Sequence, residues 1–158
     1  MQLPLQDRFV YTEGELKHRL ATLLGGRAAE EVLYGTRSTG AHDDLLKATD
    51  LARRMVCDFG MSTKVGPIVY QHRDELRYLP SPTAGMNVYT SESSAKIIDE
   101  EVRAFVEEGL AVATKLLQTH REALVELTAE LAKKEVMPGE RVRERLARDA
   151  GIAAAGAR

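Results

Sequence analysis

The chain has 158 residues, which is enough for one domain with a substantial hydrophobic core. Its 22 lysines and arginines against 24 aspartates and glutamates give a formal net charge of -2, without the basic excess typical of nucleic-acid-binding proteins. One cysteine excludes an intrachain disulfide framework, and we expect no membrane-spanning helix because no run of about 18 apolar residues occurs. Four histidines and one cysteine also leave few side chains for a metal site.

The first periodic segment predicts a helix over residues 12–34. Thr12 and Glu15 have the spacing of a capping box, and Gly35 is a plausible terminator. Apolar residues recur at the interval of one helix face: Leu16, Leu20, Leu23, Leu24, Ala28 and Val32. The pair Gly25-Gly26 inside this segment indicates a bend or a close backbone approach, because glycine costs about 1 kcal/mol relative to alanine in a helix.

A second helix is predicted from the cap-rich stretch Ser38-Thr39-Gly40 to Gly60, with a second apolar stripe. The stripe comprises Leu45, Ala48, Ala52, Met55, Val56 and Phe59. Asp43 and Asp44 fall in the first turn, where acidic side chains suit the helix dipole. Between residues 61 and 90 the pattern breaks, and we expect a long irregular loop with a short β-prone run at Ile68-Val69-Tyr70.

Three further helices are predicted in the C-terminal half. The third is capped near Ser91 and carries a long stripe: Ala95, Ile98, Val102, Phe105, Val106, Ala113, Leu116 and Leu117. Thr119 and Glu122 predict a capping box for the fourth, and the fifth covers roughly residues 140–148. We therefore predict an all-α, antiparallel helical domain of about five helices over residues 1–148, followed by a disordered tail at 149–158.

The densest cluster of polar side chains is His42-Asp43-Asp44 at a helix start. Capping and compensation of the helix dipole explain it on physical grounds, and one or two of these residues as metal ligands is the other interpretation. Three consecutive helical residues point about 100° apart, so all three cannot reach one ion. Cys57 is interpreted as a small buried filler, and His18, His72 and His120 as exposed side chains.

Several ordered blocks of the sequence resemble the peptidase domain of the FtsH-type AAA+ zinc metalloproteases. They are LLGGRAAEEVLYG at residues 23–35, STGAHDDL at 38–45 and KATDLARRMVCDFGMS at 47–62. Flanking segments agree: QLPLQDRFVYT at residues 2–12, IDEEVR at 98–103 and LLQTHREAL at 116–124. The resemblance extends from Met1 to about Arg145.

The resemblance implies a zinc site completed by Asp44. In that family two histidines of an upstream HExxH motif and one acidic residue hold zinc, and the acidic residue matches Asp44 in this sequence. Three protein ligands leave a fourth position for a water whose pKa falls to about 7. The neighbouring position, often asparagine in the family, is Asp43. Glu30 and Glu31 match an adjoining block and are expected either to support the structure or to contact a metal ligand, rather than to bind the metal themselves.

The sequence contains no HExxH motif, so two of the three zinc ligands and the catalytic glutamate of the family are missing from it. The resemblance therefore implies the C-terminal portion of a peptidase domain whose full-length relatives degrade membrane and cytoplasmic proteins with ATP. We expect no tight zinc retention and no peptidase activity from this chain alone. The alternative is a free-standing, non-catalytic relative that binds a protein partner, such as a full-length protease ring; a generic helical interaction module is a third possibility.

The expected partners follow from these interpretations. We predict self-association, as a hexamer in the full-length family and as a dimer or higher oligomer here. One reason is that the leucines of the first helix would form an apolar patch without the upstream segment. Protein substrates or a protease ring are expected as partners, without nucleic acid and without direct membrane insertion. The expected location is the cytoplasm, at the membrane face for a full-length relative.

Overall fold

The computed structural model describes residues 10–70 and 91–155, with side chains up to Arg148. These residues form six α-helices and one short 3-10 turn, and no strand, which confirms the all-α prediction. The helices are α1 (Glu13–Leu23), α2 (Gly25–Tyr34), α3 (His42–Cys57), α4 (Glu92–Thr119), α5 (Arg121–Lys134) and α6 (Gly139–Ala155), and the 3-10 turn covers Thr39–Ala41.

The predicted first helix is divided into α1 and α2, which accounts for the sixth helix. The capping box forms as predicted: the Thr12 hydroxyl accepts a hydrogen bond from the Glu15 N–H, and the Glu15 carboxylate accepts one from the Thr12 N–H. The break falls at Leu24, which closes α1 and precedes Gly25-Gly26. Gly35 ends α2 in the left-handed conformation at φ 64°, where glycine is favoured.

The hydrophobic core lies where α4 packs across α1, α2 and α3. Its most deeply buried large side chains are Leu20, Leu24, Met55 and Val56. At the crossing of α1 and α4 the backbones approach closely, because Gly109 has no side chain: a Cβ there would lie 3.0 Å from the Cβ of Leu20. Ala48 and Ala52 of α3 are also completely buried.

The predicted apolar patch on the first helix does not exist. Leu16, Leu20 and Leu24 are at most 4% exposed, because α3 and α4 of the same chain cover them. The burial of these leucines removes the reason given above for self-association. Two members of the predicted stripes lie outside the core instead: Phe59, beyond the end of α3, and Leu116, near the end of α4.

Beyond the core, α5 and α6 form an arm that contacts the rest of the described chain through the end of α4. The predicted Thr119 cap is wrong: Thr119 is the last residue of α4, and its hydroxyl donates to the Lys115 carbonyl instead. His120 takes the capping position of α5 and is half-buried rather than exposed. Glu135 ends α5 at φ 59°, which is unusual for a residue other than glycine.

The last helix, α6, continues to Ala155, seven residues past the predicted end at Arg148. The helix thus covers residues 149–155 of the segment for which a disordered tail is predicted, and disorder of that segment stays a prediction. The three alanines that end this helix have the highest intrinsic helix propensity of any residue, which explains the extension. Residues 156–158 lie outside the described part of the chain.

The segment after α3 lies against α4 over its described part, residues 58–70. The Ser62 hydroxyl donates to the buried Glu101 carboxylate over 2.7 Å, and the Lys64 ammonium lies 2.7 Å from the same carboxylate. Residues 68–70 form no strand, since Ile68 and Val69 are more than half exposed and find no partner strand in the described residues. The rest of the predicted loop, including His72, lies outside those residues. No described helix is both long enough and apolar enough to cross a membrane.

Candidate metal centre

Asp44 lies in the first turn of α3, opposite the break between α1 and α2. It is half-buried, and a Cβ added to Gly26 would lie 4.0 Å from its Oδ2 atom. The carboxylate therefore lies near Gly26, at no less than ordinary contact distance, and a Cβ added to Gly25 would meet nothing within 4 Å. The sequence indicated a close backbone approach or a bend at this pair, and the structure shows the break between α1 and α2 but no close approach.

The Asp44 carboxylate makes no hydrogen bond and no ion pair with the described residues. Capping does not explain its position either, because the N-cap residue of α3 is Ala41 and no side chain forms a capping hydrogen bond there. The acidic side chain still suits the positive end of the helix dipole. An available carboxylate on a rigid helical turn is a chemically suitable zinc ligand, since zinc accepts Asp and Glu oxygens beside histidine nitrogens.

A network of hydrogen bonds from α2 holds the backbone that leads into α3. The Glu30 carboxylate accepts two hydrogen bonds from Ser38, one from its hydroxyl and one from its backbone N–H at 3.0 Å. The same hydroxyl accepts a hydrogen bond from the Gly40 N–H at 3.1 Å and thereby caps the 3-10 turn. The hydroxyl and then the N–H of Ser38 hold the pKa of Glu30 below its usual range.

The other candidate residues have separate positions. His42 and Asp43 are exposed beside Asp44. Glu31 forms an exposed ion pair with Arg37 over 3.5 Å. Cys57 is buried at 3% exposure, as predicted for a filler, and burial raises the pKa of its thiol against the smaller opposing influence of Arg53.

Within residues 10–70 and 91–148, no three histidine, cysteine or acidic side chains converge in a way that could hold a metal ion. Asp44 therefore fits the role of one zinc ligand, and the described side chains provide no complete zinc site. The buried Glu101 carboxylate was not anticipated from the sequence. It is held by Ser62 and Lys64 beside a cavity of about 220 Å³ that also contacts Lys17 and Phe105.

Comparison with known proteins decides the family. The family model for peptidase family M41 matches residues 1–144, which include α1 to α5 and Asp44. The chain belongs to peptidase family M41. The resemblance to FtsH-type metalloproteases is thereby confirmed at the level of the family.

Curated relatives carry names consistent with this family. The chain is 47% identical over 143 residues to an ATP-dependent zinc metalloprotease FtsH of Methylococcus capsulatus, covering 90% of this chain and 22% of the relative. It is 42% identical over 151 residues to an FtsH of Pseudothermotoga lettingae, covering 96% and 24%, and 41% identical over 151 residues to one of Syntrophotalea carbinolica, covering 96% and 23%. The chain thus spans less than a quarter of the length of these relatives.

Proposed function

We propose that this M41 chain supplies Asp44 as the acidic ligand of a zinc peptidase site whose histidine ligands belong to a different polypeptide segment. The observation that carries the proposal is the half-buried Asp44 carboxylate. It has no hydrogen-bond or ion-pair partner among the described residues, and its Oδ2 atom lies 4.0 Å from the place that a Cβ on Gly26 would take. The names of the relatives, all zinc metalloproteases, support zinc as the metal.

The residues present determine what this chain would contribute to such a site and what zinc would contribute. Zinc, when bound, would polarise a peptide carbonyl and activate water for its hydrolysis. This chain would contribute one negatively charged oxygen ligand, a rigid helix on which the ligand is mounted and a core that fixes this helix. Because the sequence has no HExxH motif, the chain alone would neither retain zinc tightly nor hydrolyse peptide bonds.

In a full-length relative, the substrates would be membrane and cytoplasmic proteins delivered by ATP hydrolysis, and the site would lie at the cytoplasmic face of the membrane. The alternative proposed from the sequence was a free-standing relative that binds a partner through the same helices. The burial of Leu16, Leu20 and Leu24 removes the apolar patch that was expected of a free-standing chain. The ligand function therefore has the stronger support.

The test uses a chimera in which this chain replaces the matching 143-residue segment of the Methylococcus capsulatus relative. Asp44→Asn keeps the size of the side chain and removes its charge, and Asp43→Asn is the matched control one residue away. We expect D44N to weaken zinc binding by more than about 100-fold, which exceeds the 10–100-fold typical of residues that only orient a ligand. The D44N chimera should also lose chelator-sensitive cleavage of an unfolded protein.

The control should differ from the parent chimera by no more than about twofold in zinc affinity, because Asp43 is exposed and points away from Asp44. Unaltered ATP hydrolysis would show that the chimeras are assembled. Zinc bound by D44N as tightly as by the parent would contradict the proposal, as would stoichiometric zinc and peptidase activity in the isolated 158-residue chain.

A further inference from the structure

The segment that joins α2 to α3 is fixed by a small polar unit, here named the Glu30–Ser38 clamp. It consists of the Glu30 carboxylate on α2, the Ser38 hydroxyl and N–H, and the Gly40 N–H within the 3-10 turn. The 3-10 turn runs directly into α3, since Ala41 ends the one and His42 begins the other. The clamp therefore ties α2 to the 3-10 turn, which leads directly into the first turn of α3, where Asp44 lies.

We propose that Glu30 and Ser38 are positioning residues for Asp44: they fix the direction of the first turn of α3 and thus the place of the carboxylate relative to the metal. This inference rests on the proposed function, because it assigns the clamp a role in the same zinc site. Neither residue would touch the metal. Each would act through the backbone that carries the ligand.

Burial along this segment indicates why a clamp is needed. Between Ala41 and Ala48 no side chain is fully buried and only the half-buried Leu45 packs against the core, so packing holds the first turn of α3 less firmly than the rest of that helix. The start of α3 also has no side-chain capping hydrogen bond, and Asp44 itself makes none. The hydrogen bonds of Ser38 are the nearest side-chain hydrogen bonds before Asp44 among the described residues.

The chemistry of the clamp requires particular functional groups. The two oxygens of Glu30 accept from two donors of one residue, a geometry that an alanine cannot reproduce. The Ser38 hydroxyl must donate to Glu30 and accept from the Gly40 N–H at the same time. Threonine at position 38 can do both, and glutamine at position 30 can keep one acceptor, so these conservative variants should retain most of the effect.

The first measurement is hydrogen exchange on the whole 158-residue chain, which requires no metal. We expect Glu30→Ala and Ser38→Ala to speed the exchange of the Ser38 and Gly40 amides, and of the first amides of α3, by about 5- to 30-fold, corresponding to the loss of one or two ordinary hydrogen bonds. Amides in the middle of α4 should exchange at the parent rate. Ser38→Thr should restore protection at Gly40.

The second measurement is zinc affinity in the chimera with the Methylococcus capsulatus relative. Glu30→Ala and Ser38→Ala should each weaken zinc binding by about 10- to 100-fold, as expected for residues that orient a ligand. The double variant should be no weaker than about the worse single variant, because both remove the same clamp. Glu31→Ala, which removes a neighbouring carboxylate with an exposed ion pair, is the matched control and should change little.

The outcomes separate this inference from the proposed function. If D44N abolishes zinc binding while E30A and S38A leave it unchanged, the clamp has no positioning role and only this inference fails. If D44N leaves zinc binding unchanged, both fail. Equal losses in E30A and E31A would also overturn the inference, because they would indicate general damage to α2. The inference would be established if E30A and S38A weaken zinc binding while S38T and E31A bind zinc as tightly as the parent chimera.

Discussion

The core and the arm of this molecule are held by different forces. In the core, α4 packs on α1, α2 and α3 through side chains that are almost completely buried, such as Leu20 and Met55. In the arm, Ala123 is the one fully buried residue among the described side chains of α5 and α6. Four ion pairs connect or brace these two helices: Arg141–Glu126, Arg141–Glu130, Arg145–Glu126 and Lys134–Glu130.

The difference indicates which region determines the stability of the candidate metal centre. Complete burial of a leucine contributes about 1.5–3 kcal/mol, whereas an exposed ion pair contributes about 0–1 kcal/mol. Asp44 is carried by α3, which belongs to the core, and no described residue of the arm forms a hydrogen bond or an ion pair with it. We therefore expect changes in the core to alter global unfolding, and changes in the arm to act locally.

The largest expected effect is that of removing a core leucine. Leu20→Ala should lower the free energy of unfolding by about 3–5 kcal/mol, because Leu20 is completely buried between α1, α3 and α4. Leu131→Ala in the arm makes the same chemical change at a side chain that is 46% exposed, and it should cost less than about 1 kcal/mol. Urea denaturation followed by circular dichroism measures both. Equal losses would contradict the proposed division into core and arm.

The next effect comes from the crossing of α1 and α4. Gly109→Ala should destabilise the protein by about 1–2 kcal/mol, because the new Cβ would lie 3.0 Å from the Leu20 Cβ and 3.4 Å from the Ala21 nitrogen. Gly14→Ala is the matched control in α1, where a Cβ meets nothing within 4 Å. It should be neutral or stabilising by up to about 1 kcal/mol, owing to the helix propensity of alanine. If Gly109→Ala raised the free energy of unfolding instead, the helices at this crossing would have room for a methyl group and the prediction would be wrong.

Glu101 makes the core sensitive to acid. Lys64 and then Ser62 hold the pKa of its carboxyl below the ordinary value of 4.5. Since the pKa is lower in the folded state, its contribution to stability is complete above pH 4.5 and is lost as the pH falls through the folded-state pKa. Glu101→Gln should cost about 1–3 kcal/mol at pH 7 and progressively less below pH 4.5.

The control for this prediction is Glu100→Gln, one residue away and exposed on the same helix. Unfolding free energies measured between pH 3 and pH 7 in the parent and both variants provide the comparison. A constant gap between the parent and E101Q across this range would contradict the assignment, because it would show that the ionised form of Glu101 is not what stabilises the fold.

The smallest expected effect concerns the arm. Arg141 lies 3.1 Å from Glu130 and 3.5 Å from Glu126 and links α6 to α5. Arg141→Ala should leave global unfolding within about 0.5 kcal/mol and speed amide exchange in α5 and α6 by about two- to fivefold. Salt at about 1 M should reduce this difference. Lys133→Ala removes an equal charge in the same arm and should speed amide exchange less than Arg141→Ala. A large loss in the free energy of unfolding for R141A would mean that the arm unfolds together with the core.

Much of the helical framework could be predicted because the decisive interactions are local. The capping box of Thr12 and Glu15, the cap at Ser91 and the left-handed end at Gly35 all depend on residues within four positions. The wrong predictions of helix ends arose where neighbouring residues offered a competing local interaction. Thr119 donates to a carbonyl of α4 instead of capping α5, and alanines extend α6 beyond Arg148. Leu116 follows the helical period, but it lies near the end of α4 and its side chain is 57% exposed.

The candidate site was predicted less completely. The family resemblance pointed to Asp44, whereas the residues alone favoured a capping role that the structure does not show. The hydrogen bonds of Glu30 to Ser38, eight residues apart, depend on how the chain turns between two helices, and no periodic pattern encodes that turn. The contact of Ser62 and Lys64 with Glu101 requires the tertiary packing of α4, so the buried carboxylate could not be anticipated.

The salt bridge of Lys17 with Glu108 joins residues 91 positions apart, whereas the ion pairs of the arm join residues 4 to 19 positions apart. Folding rates fall as native contacts become more distant in sequence, because the chain entropy of closing a long loop is lost before the contacts form. The weaker region should therefore be able to form first. The core, and with it the helix that carries Asp44, forms only when α4 has packed back against α1 across the long stretch of chain between them.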